Sequence, residues 1–104
     1  MVTLDQSQQI ADEARKLLNK KFKPFKTPQD LIVDLMEETG ELAKAISDKE
    51  IRKQDLRGDD VSTELVDIYM NLLWIANHYN IEFEKEFINT VNKWNKRYKF
   101  NIKI

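Results

Sequence analysis

The 104-residue chain has no cysteine, which excludes a disulfide framework, a thiolate metal site and a cysteine nucleophile. Its only glycines are Gly40 and Gly58, so no Walker-type loop exists to cradle phosphates. Any phosphate must therefore meet cationic side chains or metal ions. Two prolines and 34% charged residues favour helices over a sheet. No apolar run approaches the roughly 20 residues needed to span a bilayer. The opening MVTLDQSQQI has no apolar core of the signal-peptide kind. The expectation is a cytoplasmic protein with no membrane partner.

An excess of either charge is also missing. Seventeen basic residues face eighteen acidic ones, for a formal net charge of −1. That balance argues against a general nucleic-acid binder. The charges are nevertheless segregated. Basic residues gather in 20–26 and 93–99, and acidic residues occupy the middle. This fits one small anionic ligand held between cations and an acidic centre.

The pattern that remains predicts an all-α, four-helix, bundle-like single domain over residues 1–104. A chain this short buries only about 60–65% of its unfolded surface, so assembly would enlarge a modest core. Helix one is expected over about Thr3 to Lys21, with Ile10, Ala14, Leu17 and Leu18 inward. Thr27 can cap helix two with Pro28 as its first residue, and that helix is expected to end near Ile46. Ser47 to Val61 reads as a polar connection, with a short helical turn near Glu50 to Lys53. Helix three follows from Asp60 to Thr63 until about Asn80, with Asp59 and Asp60 as its caps. A tight Asn80-Ile81 link leads into helix four, about Glu82 to Tyr98. Helix three is apolar almost all round, which predicts a central or interface position and hence a homodimer or a dimer of dimers.

Two carboxylate pairs break these apolar faces. At 100° per residue, Leu31, Leu42, Leu35 and Ala45 fall within roughly 60° of Glu38, so a carboxylate sits mid-stripe. Glu41 lies one turn on. In helix three, Asn71 and Glu64 lie at roughly 40° and 60° from Asp67, so its few polar side chains share one line. Glu38/Glu41 and Glu64/Asp67 each have i,i+3 spacing, and two antiparallel helices would bring them face to face. Four carboxylates cannot share a low-dielectric site without protons or cations. An all-oxygen set selects a hard divalent ion, Mg²⁺ or Mn²⁺.

These residues resemble the MazG-like, all-α nucleoside triphosphate pyrophosphohydrolases. The family pattern E-E-x-x-E, spacer, E-x-x-D reads here as Glu37-Glu38-Thr39-Gly40-Glu41 and Glu64-Leu65-Val66-Asp67. Gly40-Glu41-Leu42, Asp67-Ile68 and Asn77-His78-Tyr79-Asn80-Ile81-Glu82 agree in context, and the resemblance covers roughly Thr27 to Tyr98. It implies Mg²⁺-dependent hydrolysis of a nucleoside triphosphate to the monophosphate and pyrophosphate, in housekeeping of the nucleotide pool. It implies Glu38, Glu41, Glu64 and Asp67 as metal ligands. Glu37, about 100° round from Glu38, can orient a water or serve a second metal. A carboxylate left over from ligation, Glu37 or Glu41, can accept the water's proton. Family members carry a lysine, then asparagine and arginine, near Lys93, Asn95 and Arg97, commonly followed by proline. Here Lys99 follows Tyr98 instead. Those three are the expected phosphate contacts, and Trp74, about 20° from Asp67, can stack on a base.

Two other classes compete. A di-iron or di-manganese carboxylate bundle would need Glu-x-x-His pairs, and neither pair has the histidine. A non-catalytic helical dimer with a structural metal site would be an interaction module without turnover.

Overall fold

The computed structural model describes residues 1–22, 25–50 and 59–104, without the side chains of Asp59 and Asp60. The expected caps at Asp59 and Asp60, and the short turn expected after Glu50, lie outside what is described. Four helices follow in order: α1 (Leu4–Lys21), α2 (Pro28–Glu50), α3 (Asp59–His78) and α4 (Phe83–Tyr98). No strand occurs among the described residues, so the chain is all-α. None of these helices is long and apolar enough to cross a membrane.

Local chemistry sets most helix ends. Thr3 and Gln6 close a reciprocal capping box on α1, with backbone-to-side-chain bonds of 2.8 and 3.1 Å. Thr27 does the same for α2 with Asp30: its N–H donates to Asp30 Oδ2 at 3.0 Å, and the Asp30 N–H donates back to Thr27 Oγ1 at 3.3 Å. The Thr27 N–H and hydroxyl, both donating to Asp30 Oδ2 at 3.0 Å, hold the Asp30 carboxyl below its ordinary range, the backbone donor contributing most. The α3–α4 link is a Schellman turn. Asn80 takes the left-handed conformation at φ 54°, Ile81 N–H donates to Ala76 O at 2.8 Å and Asn80 N–H to Asn77 O at 3.2 Å. Asparagine tolerates that conformation better than other side chains with a Cβ, so the tight link needs no glycine.

Helix α3 is the centre of the arrangement, packed on α2 along one side and on α1 along another, while α4 packs on α1. The buried apolar set is small: Ala11, Leu31, Ala45, Leu73, Ala76 and Val91. Two expectations need correcting. Helix α2 continues to Glu50 rather than stopping near Ile46, because Asp48 is buried at 5% exposure and tertiary contacts override its weak helix propensity. On α1 the inward stripe is Ala11 and Leu18, whereas Ile10 and Leu17 are 50% and 60% exposed. The small Ala11 lets α3 approach closely enough for Trp74 Nε1–H to donate to Ala11 O at 2.9 Å.

The remaining link between α1 and the α3–α4 corner is polar. Gln8 Nε2 donates to Asn77 Oδ1 at 2.9 Å and to Ile81 O at 2.8 Å, and Gln8 Oε1 accepts from Phe83 N–H at 2.8 Å. Asn77 Nδ2 donates in turn to Gln8 O at 3.0 Å. One amide thereby satisfies the first donor of α4 and a carbonyl of the turn before it.

Large apolar side chains remain uncovered. On α2, Ile32, Met36 and Ile46 are exposed in one stripe with Gly40 and Ala43; on α3, Leu65, Val66 and Leu72 are exposed. The radius of gyration is 16.7 Å, against about 13 Å for a compact chain of this length. A single copy is open.

Candidate metal centre

The seam between α2 and α3 carries the carboxylates. Glu38 and Glu41 come from successive turns of α2 and Glu64 from the first half of α3. One ligand oxygen from each lies within 4.8 Å of the others. Glu38 Oε2 and Glu64 Oε2 are buried and have no hydrogen-bond partner. A buried acceptor without a donor costs free energy, so this arrangement calls for protons or a cation. Glu64 shows the strain electrostatically. Its carboxyl is pushed up to about 7, first by the Glu38 carboxyl set against it, then by desolvation and by the charges of Glu41 and Glu38. Three hard oxygen donors with two unsatisfied atoms fit a small divalent cation.

The other expected site residues are placed as follows. Asp67 is on α3 one turn beyond Glu64, exposed and outside the three-oxygen group. Glu37 is exposed on α2 and is not part of the three-oxygen group. Asn71 is buried at 4% exposure in α3 with Oδ1 unpaired, an additional polar group on the same line as Glu64. Asp34, one turn before Glu38, is ion-paired with Lys26. Lys93 and Arg97 are exposed on α4, and Arg97 lies over the Tyr98 ring at 5.3 Å. Asn95 is committed elsewhere: Nδ2 donates to Ile102 O and Oδ1 accepts from Ile102 N–H, both at 2.9 Å. It pins the carboxy-terminal segment onto α4. Within one chain, α4 packs on α1 rather than over the carboxylates.

Trp74 occupies a second feature of the seam. It meets Phe25 edge-on, with ring centroids 5.1 Å apart at 77°, and Lys26 Nζ is 5.8 Å from the centroid of each ring. A cavity of about 310 Å³ opens here, lined also by Leu31 and, from α1, by Asp12 and Arg15. Sequence reasoning found Trp74 but missed the α1 wall, because Asp12 and Arg15 reach the cavity only through the docking of α1, which no local pattern reports.

Residues 26–100 match the family described as MazG nucleotide pyrophosphohydrolase domain. The chain belongs to the MazG family. The match takes in the whole carboxylate seam and the Schellman turn, and leaves α1 outside. No curated protein matches the chain. Members of this family are nucleotide pyrophosphohydrolases, so the acidic seam of this MazG domain lies in a hydrolase fold with a nucleotide as its class of substrate.

Proposed function

We propose that this MazG domain is a Mg²⁺-dependent enzyme that hydrolyses nucleoside triphosphates to the monophosphate and pyrophosphate. The observation that carries the reading is the meeting of Glu38, Glu41 and Glu64 with two buried oxygens left unpaired. Mg²⁺ there, with Mn²⁺ able to substitute, would neutralise phosphate oxygens and lower the pKa of a bound water. Asp67, one turn along and facing solvent, is the fourth ligand of this reading, drawn in by the cation. The chain's own base is then Glu41, the exposed member of the cluster, where ligation leaves it free, or Glu37 acting on a water from the outer side. Lys93 and Arg97 supply cations for the distal phosphates from α4, and reach them most directly across a subunit boundary.

Assembly belongs to the same proposal. The exposed stripes on α2 and α3 and the open shape fit a homodimer or homotetramer in the cytoplasm. Sedimentation should show no stable monomer at micromolar concentration. The function is tested by incubating the protein with Mg²⁺ and each nucleoside triphosphate and assaying pyrophosphate. Release that is lost on chelation and in Glu38→Gln supports the proposal. A dimer that binds Mg²⁺ but releases no pyrophosphate from any nucleotide would make the chain a structural interaction module instead.

A further inference from the structure

We propose that the Trp74 cavity is the nucleobase pocket, and that it favours bases bearing ring carbonyl oxygens over adenine. This rests on the hydrolytic reading above and adds the part of the substrate that it leaves open.

Position comes first. Leu31, buried at 4% exposure, lies at the floor of the cavity, two helical turns before Glu38 and on the same face of α2. That separation is about 10 Å along the axis. On α3, Trp74 is ten residues beyond Glu64, about 15 Å. Asp67 lies between them, about 20° round the helix from Trp74. Cavity and carboxylates thus share one seam. A nucleoside triphosphate, with its base and three-phosphate chain at opposite ends, is long enough to occupy both.

The walls then define the base. Phe25 and Trp74 give flat apolar surface for a ring. Their arrangement leaves the Trp74 face under Lys26 rather than under another ring. Most of the polar atoms nearby are already committed. Trp74 Nε1–H is held by Ala11 O, and both ends of the Asn77 amide are held by Gln8. Asp12 Oδ1 accepts from Arg15 and Asp12 Oδ2 from Lys16, each at 3.1 Å, which holds the Asp12 carboxyl below its ordinary range, Lys16 contributing most. His78, against the edge of Tyr79, can donate or accept. Lys26 is ion-paired with Asp34, so the free capacity is mainly donor: the N–H groups that Lys26 and Arg15 keep beyond their carboxylate partners. Uracil, thymine, cytosine and guanine each present a ring carbonyl oxygen to such donors. Adenine offers only ring nitrogens, weaker acceptors for a cation's N–H than a carbonyl oxygen, and so repays less of the water those groups lose.

The test uses the two tryptophans of the chain, Trp74 and Trp94. In Trp94→Phe labelled with 5-fluorotryptophan, the single ¹⁹F resonance reports Trp74. It is titrated with uridine, cytidine, guanosine and adenosine without Mg²⁺, so that neither phosphate nor metal contributes. The expected result is a saturable shift with the first three, and adenosine at least about fivefold weaker. Lys26→Met should weaken uridine by about tenfold, with Arg15→Met as the second variant, and should narrow the preference for UTP over ATP in pyrophosphate release. No shift with any nucleoside, or adenosine binding as well as the others, overturns the pocket. If pyrophosphate is still released in that case, hydrolysis stands and only the pocket falls. Nucleoside binding without pyrophosphate release would instead sink the hydrolytic reading and leave the pocket standing.

Discussion

Glu64 offers a quantitative test of the metal centre, because its ionisation must be coupled to cation binding. In the metal-free fold its carboxyl is pushed up to about 7 by Glu38, Glu41 and desolvation. In the unfolded chain it returns to its ordinary value near 4.5. A group whose folded pKa is raised stabilises the fold below the unfolded value, and that contribution is lost as pH climbs through the folded one. Metal-free protein should therefore melt at lower temperature at pH 8 than at pH 5.5. Mg²⁺ reverses the preference, because it binds the ionised form. With a midpoint of about 7, the free carboxylate fraction is about one tenth at pH 6, one half at pH 7 and nine tenths at pH 8. Apparent Mg²⁺ affinity should then rise about tenfold from pH 6 to pH 8. Each ion should displace about half a proton at pH 7 and almost one at pH 6. Calorimetric titration in two buffers of different ionisation enthalpy measures that number directly. Glu64→Gln should bind more weakly, displace almost no proton and lose the pH slope between 6 and 8. Binding that is independent of pH in the parent, or a mutant that keeps the slope, would refute the assignment of Glu64 as a ligand.

Three further outcomes follow from other parts of the structure. Asp67→Asn should leave metal-free stability within about 0.5 kcal/mol, as befits an exposed residue, yet lower pyrophosphate release by about a hundredfold if Asp67 joins the bound ion; melting curves and the pyrophosphate assay read the two effects separately. Gln8→Ala removes three side-chain bonds at the α1–α3–α4 corner and should cost about 2–3 kcal/mol in urea unfolding; a loss below about 0.5 kcal/mol would mean that water replaces Gln8 freely. A Cβ added at Gly40 would meet nothing within 4 Å, so Gly40→Ala should stabilise an isolated chain by about 1 kcal/mol. Weaker self-association of that variant in sedimentation would place Gly40 against a second copy, whereas unchanged association would put the contact elsewhere.

The helices were legible because their ends are written locally. Thr27-Pro28 with Asp30, and Asn80-Ile81, act through bonds to residues three to five positions away. Carboxylates interrupting apolar helices drew attention to Glu38, Glu41, Glu64 and Asp67, and the fold brings one oxygen of each of the first three within 4.8 Å while leaving Asp67 outside that group. What failed was anything decided by a distant element. Leu18, expected inward, is half-buried, but Ile10 and Leu17 are exposed while Ala11 is buried. Periodicity cannot choose between the Ile10/Leu17 stripe and the Ala11/Leu18 stripe, which lie close in angle. The bond from Trp74 to the Ala11 carbonyl goes with the second. Ser47 and Asp48 looked like breakers, but burial of Asp48 keeps α2 helical to Glu50. The long-range hydrogen bonds of Gln8, and of Asn95 to Ile102, leave no trace in a hydropathy pattern.

The hydrogen bonds that tie α1 to α3 and to the α3–α4 corner reach far along the chain. Gln8 to Asn77, Ile81 and Phe83, and Trp74 to Ala11, join residues 63 to 75 positions apart. Contacts of that span reward the chain only after a large loop has closed, so they form late. Residues that meet across α2, α3 and the Schellman turn are nearer in sequence and should order first. The first helix then docks last and detaches first. Hydrogen exchange would show it, with the α4 that packs on it, as less protected than α2 and α3, opening without the carboxylate seam coming apart. Because α1 carries Asp12 and Arg15, each such opening also removes one wall of the Trp74 cavity. The rate at which the first helix lifts would then set an upper limit on how quickly a ring held there can leave.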